Sequence, residues 1–155
     1  MKINGVISTF LEDGKLEILE ESFMTKVTEK LKESLKGTKV TYLATAAKDG
    51  TPNVVPIAAV KFLNDETLLI SDQYFGKTLK NLEENPKIAL TWWGEKGGFQ
   101  IKAEITIHKD DKIFRKNVEW VHSIRETLSP KSAIVGKITD VYIVKSGTDA
   151  GKKIL

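Results

Sequence analysis

The chain has 155 residues, of which 41% are hydrophobic and 29% are charged, a composition typical of one folded globular domain. The 24 basic and 21 acidic residues leave a net charge of +3 with both signs interspersed, so the charge pattern does not predict nucleic-acid binding. The chain contains no cysteine, which excludes disulfides, thiolate metal ligands and a cysteine nucleophile, so redox chemistry would need a bound cofactor.

The first part of the chain predicts an extension followed by one helix. Residues 1–19 fit either a short hairpin around Asp13-Gly14 or a loop. Apolar residues at four-residue steps from Glu20 to Lys36 predict an amphipathic helix, with Ser22 as its candidate N-cap and Gly37 as its stop. The N-terminus has no continuous apolar region of the kind that signal peptides carry, and no segment is apolar for long enough to span a membrane. We therefore expect a cytoplasmic protein.

Six apolar or alternating segments predict β-strands. They cover residues 40–46, 54–62, 67–71, 87–93, 99–108 and 134–144. Asp49-Gly50 and Asn64-Asp65 predict turns after the first and second segments. The second segment is apolar almost throughout, which predicts a strand covered on both faces.

Two more helices are predicted between the later strands. Leu79 and Leu82 give a short segment one apolar edge, and Asn85-Pro86 ends it. A second helix is predicted from about Asp111 to Leu128, before Ser129-Pro130. Strands in this number with helices at the edges predict a mainly β fold, an antiparallel barrel with helical additions.

A short basic segment, Gly76-Lys77-Thr78, opens the first of these helices. Free backbone N–H groups and the positive end of the helix dipole favour an anion there, and a lysine and a hydroxyl would add to that preference, so a phosphate site is one interpretation. The alternative is that Gly76 forms a turn, Thr78 caps the helix and Lys77 is solvated. The segment is not a nucleotide P-loop, because Ser71 stands where the first glycine of that motif belongs.

The order of short motifs over about half the chain resembles the FMN-binding split-barrel family, which includes pyridoxamine 5'-phosphate oxidases and small flavin-binding proteins. The motifs are GTPNVVP, ISD, GKT, ENP and FQIK, and residues 140–153 resemble the closing segment of short members. The resemblance implies a six-stranded antiparallel split barrel with flanking helices, in one FMN-binding domain over residues 1–155. Residues 1–37 would be an N-terminal extension, residues 38–145 the barrel and residues 146–155 a tail.

The same resemblance implies FMN as the cofactor and assigns its contacts. Lys77 and Thr78 would hold the FMN phosphate, and Ser71 and Asp72 would line the same cleft. Five consecutive residues would run beside the isoalloxazine and ribityl chain: Val54, Val55, Pro56, Ile57 and Ala58. Gln100 would face the flavin or a partner subunit. Family members are usually homodimers with the flavin at the subunit interface, so the implied function is that of a flavin-dependent oxidoreductase or electron carrier with no side chain needed as catalytic acid or base.

Two departures from the family narrow this function. True pyridoxamine phosphate oxidases close with an Arg, His and Trp set, and residues 145–155 contain none of these, so that specific activity is not expected. The family's arginine at the start of the flavin segment is replaced by Val55 or Pro56, which leaves Lys77 as the main phosphate charge. Two alternatives therefore stay open: a module of the same fold for F420 or haem, and a non-catalytic dimeric interaction protein.

The tryptophans and histidines are the remaining candidates for residues that contact a partner, a cofactor or a metal. Trp92 and Trp93 are adjacent on a predicted strand and so point to opposite faces, which leaves one for a partner or flat cofactor to cover unless a helix covers it. His108 and His122 lie on an exposed strand face and a helix, away from each other and from paired acids. A solvated or partner-facing role is expected for both histidines, and neither a metal site nor a catalytic dyad.

Overall fold

The computed structural model describes residues 29–155. Residues 29–36 are helical and form the described part of helix α1; the predicted hairpin, Ser22 and the start of this helix lie outside the described residues. The remaining helices are α2 (Lys77–Glu84) and α3 (Lys112–Ile124). The seven strands are β1 (Thr41–Ala46), β2 (Pro52–Ile57), β3 (Val60–Phe62), β4 (Thr67–Asp72), β5 (Lys87–Gly94), β6 (Gly97–His108) and β7 (Ser132–Ile143).

All seven strands form one antiparallel sheet in the order β2-β1-β5-β6-β7-β4-β3. Strands β2 and β3 lie at opposite ends of this order, although only Ala58 and Ala59 separate them in the sequence. The sheet therefore curls until its two ends approach each other at this link, which makes a half-barrel. The prediction of a mainly β antiparallel split barrel with flanking helices is confirmed.

One predicted strand, over residues 54–62, is two strands in the structure. The chain leaves the ladder at Ala58 because it passes there from one end of the sheet to the other, and the strand count rises from six to seven. The predicted cover on both faces is wrong for β2, since Val54 is 64% exposed. Strand β2 is an edge strand. Proline has no N–H to donate, but on the side of an edge strand that has no neighbour this removes no hydrogen bond, so Pro52 and Pro56 are compatible with this position.

The hydrophobic core lies on the inner face of the curled sheet. Strand alternation points one residue in two inward, and the fully buried residues come from five strands: Leu43, Leu68, Ile70, Leu90, Ile101, Ile134 and Val141. Helix α1 closes the core with Leu31 and Leu35. Its Ser34 hydroxyl accepts a hydrogen bond from the Trp92 Nε1–H at 2.9 Å, which pairs a polar group that burial would otherwise leave unmatched.

The two later helices begin and end close to the predicted positions. Helix α2 ends before Asn85-Pro86, as predicted, and α3 starts after its N-cap Asp111, whose carboxylate accepts the Phe114 N–H at 2.9 Å. Helix α3 ends at Ile124, before the predicted Leu128. No helix in residues 29–155 has the length and apolar character needed to cross a membrane.

The C-terminal tail pairs with the part of β7 that β4 does not reach. The Ile154 N–H donates to the Val141 carbonyl at 2.8 Å, and the Val141 N–H donates to the Leu155 carbonyl at 3.0 Å. Lys153 forms an ion pair with Asp140, and the hydrogen bond from Lys153 lowers the pKa of the Asp140 carboxyl. The tail thus extends the sheet by one short bridge.

Candidate cofactor site

A polar network beneath α2 joins the predicted phosphate residues to the predicted ring strand. Asn53 Nδ2 on β2 donates to Thr78 Oγ1 at 3.0 Å and lies 3.1 Å from Thr45 Oγ1 on β1. Asn81, one turn further along α2, donates to the same Thr45 hydroxyl at 3.0 Å. Thr45, Thr78 and Asn81 are buried, so these hydrogen bonds are protected from water and fix the first turn of α2 beside β2.

Helix α2 begins at Gly76, whose φ of 45° lies in the left-handed region that glycine tolerates. No side chain caps this helix start. Thr78 is fully buried with its hydroxyl bonded to Asn53, so the alternative in which Thr78 caps the helix is wrong. Lys77 is exposed in the first turn, where the Thr78 N–H donates to the Phe75 carbonyl at 2.7 Å.

Asp72 builds the turn that leads into α2. Its two carboxylate oxygens accept the Phe75 N–H and the Ser132 hydroxyl, both at 2.9 Å. Its backbone carbonyl accepts the Lys131 N–H at 2.8 Å. Asp72 is buried, so its carboxylate serves the turn and the contact with β7, and the helix start takes its position from that turn.

Ser71 lies where the end of β4 meets the link between β2 and β3. Its N–H donates to the Ala59 carbonyl at 3.0 Å. Its hydroxyl oxygen accepts from Gln73 Nε2 at 2.8 Å and from Asn117 Nδ2 on α3 at 2.9 Å. The side-chain oxygens of Gln73 and Asn117 are buried without a hydrogen-bond partner in residues 29–155.

The predicted ring strand presents an apolar surface next to this junction. Val54, Pro56 and Ala58 are exposed, whereas Ile57 is buried and Val55 packs against the core. Because β2 pairs only with β1, the backbone groups on its free edge have no strand partner among the described residues. The structure therefore brings Val54–Ala58, Ser71, Asp72, Lys77 and Thr78 to one junction.

Gln100 lies on the same sheet face as Pro56 but not at this junction. The strand register aligns Gln100 with Thr91, Thr91 with Tyr42, and Tyr42 with Pro56. Neighbouring strands lie about 4.8 Å apart, which puts Gln100 roughly 14 Å from Pro56 across the sheet. Within one chain, Gln100 is separated from the other predicted site residues.

The outer face of β2, β1 and β5 carries an exposed apolar surface, here called the outer patch, made of Tyr42, Val54, Pro56 and Trp93. Tyr42 is 50% exposed and Trp93 is 63% exposed. Trp92 points to the opposite face, is 1% exposed and packs against Phe99 with ring centroids 6.0 Å apart. The prediction that the two tryptophans face opposite sides is confirmed, and no described helix covers Trp93.

The histidines are engaged in local contacts. His108 Nδ1 bonds the Asp111 carboxylate and its Nε2 lies 2.9 Å from Thr106 Oγ1, so the predicted solvated position is wrong. The hydrogen bond with His108, together with the Phe114 N–H, lowers the pKa of the Asp111 carboxyl. The sequence carried a signal for this pair in the three-residue spacing of His108 and Asp111. His122 is exposed on α3 with Nε2 at 2.9 Å from the Leu128 carbonyl oxygen.

Comparison with known proteins identifies the family. The family model described as pyridoxamine 5'-phosphate oxidase matches residues 27–145. An uncharacterized protein of Methanocaldococcus jannaschii is 41% identical over 134 residues, which cover 84% of this chain and 89% of that protein. The family match extends over β1 to β7, α2, α3 and the described part of α1.

Two solved structures share the fold at low sequence identity. An FMN-binding protein from Syntrophomonas wolfei subsp. wolfei has a TM-score of 0.70 and 18% identity, covering 86% of this chain and 94% of that one. HutZ, the heme storage protein from Vibrio cholerae, has a TM-score of 0.57 and 16% identity, covering 74% and 92%. At such identities the likeness is one of fold. On the family match and the M. jannaschii relative, this chain belongs to the pyridoxamine 5'-phosphate oxidase family.

Proposed function

We propose that this protein binds FMN at the junction of β2, the end of β4 and the start of α2, and that it acts as a flavin-dependent oxidoreductase or electron carrier. The observation that carries the proposal is the hydrogen bond from Asn53 to Thr78, because it holds a basic helix start beside an exposed edge strand. A basic helix start favours the binding of a phosphate group, and an exposed edge strand offers a surface for a flat ring with polar edges.

We assign the phosphate to Lys77 and the start of α2. Lys77 is exposed next to Gly76, and no side chain caps the helix start, although the Thr78 N–H already donates to the Phe75 carbonyl at 2.7 Å. A phosphate there would gain a cation, N–H donors and the positive end of the helix dipole. Thr78 would border the phosphate and hold the helix start in place through Asn53.

We assign the ring and ribityl chain to Val54–Ala58. Val54, Pro56 and Ala58 offer an exposed apolar surface, and the free edge of β2 offers backbone donors and acceptors for the polar ring edge. Ser71 and Asp72 would border the cleft at the end of β4, Asp72 by fixing the turn before α2. FMN supplies one- and two-electron transfer when bound, and these residues supply its binding and orientation.

We assign the outer patch to a second copy of the chain, so that the protein is a homodimer. Its tyrosine, valine and tryptophan are each at least half exposed on one face of the sheet, and a cluster of exposed large apolar side chains is typical of a protein–protein interface. Gln100 lies on this face, roughly 14 Å from the ring strand. Its predicted contact with the flavin would therefore be made across the dimer interface.

The positions of the two histidines favour FMN over haem but do not separate FMN from F420. Haem would need an axial ligand, and both ring nitrogens of His108 are engaged while His122 lies exposed on α3. F420 also carries phosphate, so the Lys77 site suits it as well, and only a binding measurement separates it from FMN.

The experiment compares Lys77→Ala with Lys80→Ala, a lysine one turn further along the same helix, by titrating each purified variant with FMN. We expect Lys77→Ala to weaken FMN binding roughly ten- to hundredfold, the loss of one charge-assisted hydrogen bond, and Lys80→Ala to change it less than about threefold. Riboflavin lacks the phosphate, so its affinity should not change in Lys77→Ala. Equal FMN affinity in wild type and Lys77→Ala would contradict the assignment.

A further inference from the structure

Helix α3 lies across the face of the sheet that points away from the hydrophobic core. The strand register and alternation put Lys61 on β3, Ser71 on β4 and His108 on β6 on this one face. The helix contacts them in order along its length through three pairs: Asp111 and His108, Asn117 and Ser71, and Trp120 and Lys61. The middle of α3 is therefore held over the end of β4, which borders the proposed FMN junction.

The contact in the middle of α3 is a hydrogen bond between two buried side chains. Asn117 is fully buried, and its Nδ2 donates to Ser71 Oγ at 2.9 Å. Gln73 Nε2 donates to the same oxygen at 2.8 Å, so both acceptor positions of this hydroxyl are filled and the Ser71 side chain is held from two sides. The Asn117 Oδ1 atom is buried without a hydrogen-bond partner in residues 29–155. Within these residues the amide of Asn117 thus has one polar contact, the one to Ser71.

Ser71 is in turn bonded through its backbone to the link between β2 and β3. The Ser71 N–H donates to the Ala59 carbonyl at 3.0 Å, and the Val60 N–H donates to the Ala58 carbonyl at 3.1 Å. Ala58 is the last residue of the segment assigned to the flavin ring, and the chain crosses there from one end of the sheet to the other. Two hydrogen bonds, one at the Ser71 hydroxyl and one at its N–H, therefore connect the middle of α3 to the end of this segment.

We propose that Asn117 is a positioning residue for the flavin ring: it fixes Ser71, and Ser71 fixes the link at the end of the ring strand. The inference rests on the proposed function, because it concerns a flavin bound along this strand. Asn117 is fully buried and would not contact the flavin itself. The turn before Lys77 is held separately, by the two hydrogen bonds of the Asp72 carboxylate. Asn117 is therefore expected to act on the position of the ring and not on that of the phosphate.

The test compares Asn117→Ala with Val121→Ala, which truncates a second fully buried side chain of α3 that has no hydrogen bond with Ser71. Each variant is titrated with FMN and with riboflavin, which has the ring but no phosphate. We expect Asn117→Ala to weaken the binding of both flavins by the same factor, roughly three- to tenfold, the loss of one neutral hydrogen bond. It should also change the visible circular dichroism of the bound flavin at saturation, which reports the surroundings of the ring. Val121→Ala should leave that spectrum unchanged and both affinities within about twofold of wild type.

Two further variants separate the amide of Asn117 from its bulk and test the route through Ser71. Asn117→Val restores most of the lost bulk without a hydrogen-bond donor and should behave as Asn117→Ala does. In a Ser71→Ala background, Asn117→Ala should cause no further loss of riboflavin affinity, since the bond between the two side chains is already absent.

Four results would overturn the inference. They are wild-type flavin affinities in both Asn117 variants, equal effects of Asn117→Ala and Val121→Ala, a loss confined to FMN, and additive losses when Asn117→Ala is combined with Ser71→Ala. A wild-type protein that binds neither flavin would instead overturn the proposed function, and this inference with it.

Discussion

The two faces of β1 and β5 differ in how far residues of the same chain bury them. On the inner face Leu43, Leu90 and Trp92 are fully buried, and α1 supplies even the hydrogen bond that the Trp92 indole needs. On the outer face Tyr42 and Trp93 alternate with these residues and are at least half exposed. The inner face is completed within residues 29–155, whereas these residues leave the outer face and the edge strand β2 uncovered, and that is where we propose the cofactor and the second subunit.

The sharpest contrast between the two faces is in folding stability. Trp92→Ala should lower the free energy of unfolding by about 3–5 kcal/mol, because it leaves a large cavity and removes the indole N–H that donates to the Ser34 hydroxyl. Trp93→Ala should change it by less than about 0.5 kcal/mol, since this ring is mostly exposed. Urea unfolding at protein concentrations low enough for the protein to be monomeric measures the free energy of unfolding of both variants. Similar losses in the two variants would show that the faces do not differ in this way.

The outer patch is expected to dominate assembly. Trp93→Glu should weaken self-association by at least about thirtyfold, as charge replaces an aromatic at a central contact. The matched control is Ile124→Glu on α3, because Ile124 is also 63% exposed but lies outside the outer patch. Sedimentation velocity over a range of concentrations gives the two dissociation constants. A wild-type protein that stays monomeric at high micromolar concentration would contradict the assignment.

The hydrogen-bond network beneath α2, which includes Asn53 and Thr78, should contribute both to folding stability and to FMN binding. Thr78→Val keeps the shape of this buried side chain but removes the oxygen that accepts from Asn53, so we expect a loss of about 1–2 kcal/mol in the free energy of unfolding. FMN affinity should fall severalfold because the helix start is no longer fixed beside β2. Thr148→Val, at an exposed turn position after β7, is the control and should change neither quantity. An unchanged FMN affinity in Thr78→Val would remove the network from the site.

The smallest expected effect is a pH-dependent release of the tail. Lys153 lowers the pKa of the Asp140 carboxyl in the folded chain. The contact is therefore complete above the pKa of a free aspartate, about 3.9, and is lost as the pH falls through the lower folded value. The protection factors of the Val141 and Ile154 N–H groups, which compare each exchange rate with the intrinsic rate at the same pH, should fall in this acidic range. Asp140→Asn should lower these protection factors already at neutral pH; wild-type protection in that variant would contradict the role of this ion pair.

Much of the fold was predictable because strand alternation and turn residues are local signals. The predicted segments match β1 and β4 to β7 within a few residues, and α2 ends where Asn85-Pro86 indicated. The edge position of β2 was not predicted, because edges are set by long-range pairing, although Pro52 and Pro56 were a local signal for it. The break at Ala58 likewise depends on the closure of the barrel.

The candidate site was predictable only in part. Gly76 and Lys77 mark the helix start in the sequence, but the hydrogen bonds that fix it do not follow from the motifs, although Asn53 lies in GTPNVVP. Asn53 and Thr78 are 25 residues apart, and Asn81 and Thr45 are 36 residues apart, so their hydrogen bonds follow only from the folded topology. The same holds for Asn117, which reaches Ser71 from α3 over 46 residues.

The most direct test of the central claim is the visible absorbance of the freshly purified protein before and after titration with FMN, with any released chromophore identified by mass. The account predicts flavin bands near ~450 nm that a reductant bleaches, with one FMN per chain and weaker binding of riboflavin, which lacks the phosphate. A protein that neither carries FMN nor takes it up at micromolar concentration would contradict the account, and uptake of F420 or haem instead would keep the fold and replace the cofactor.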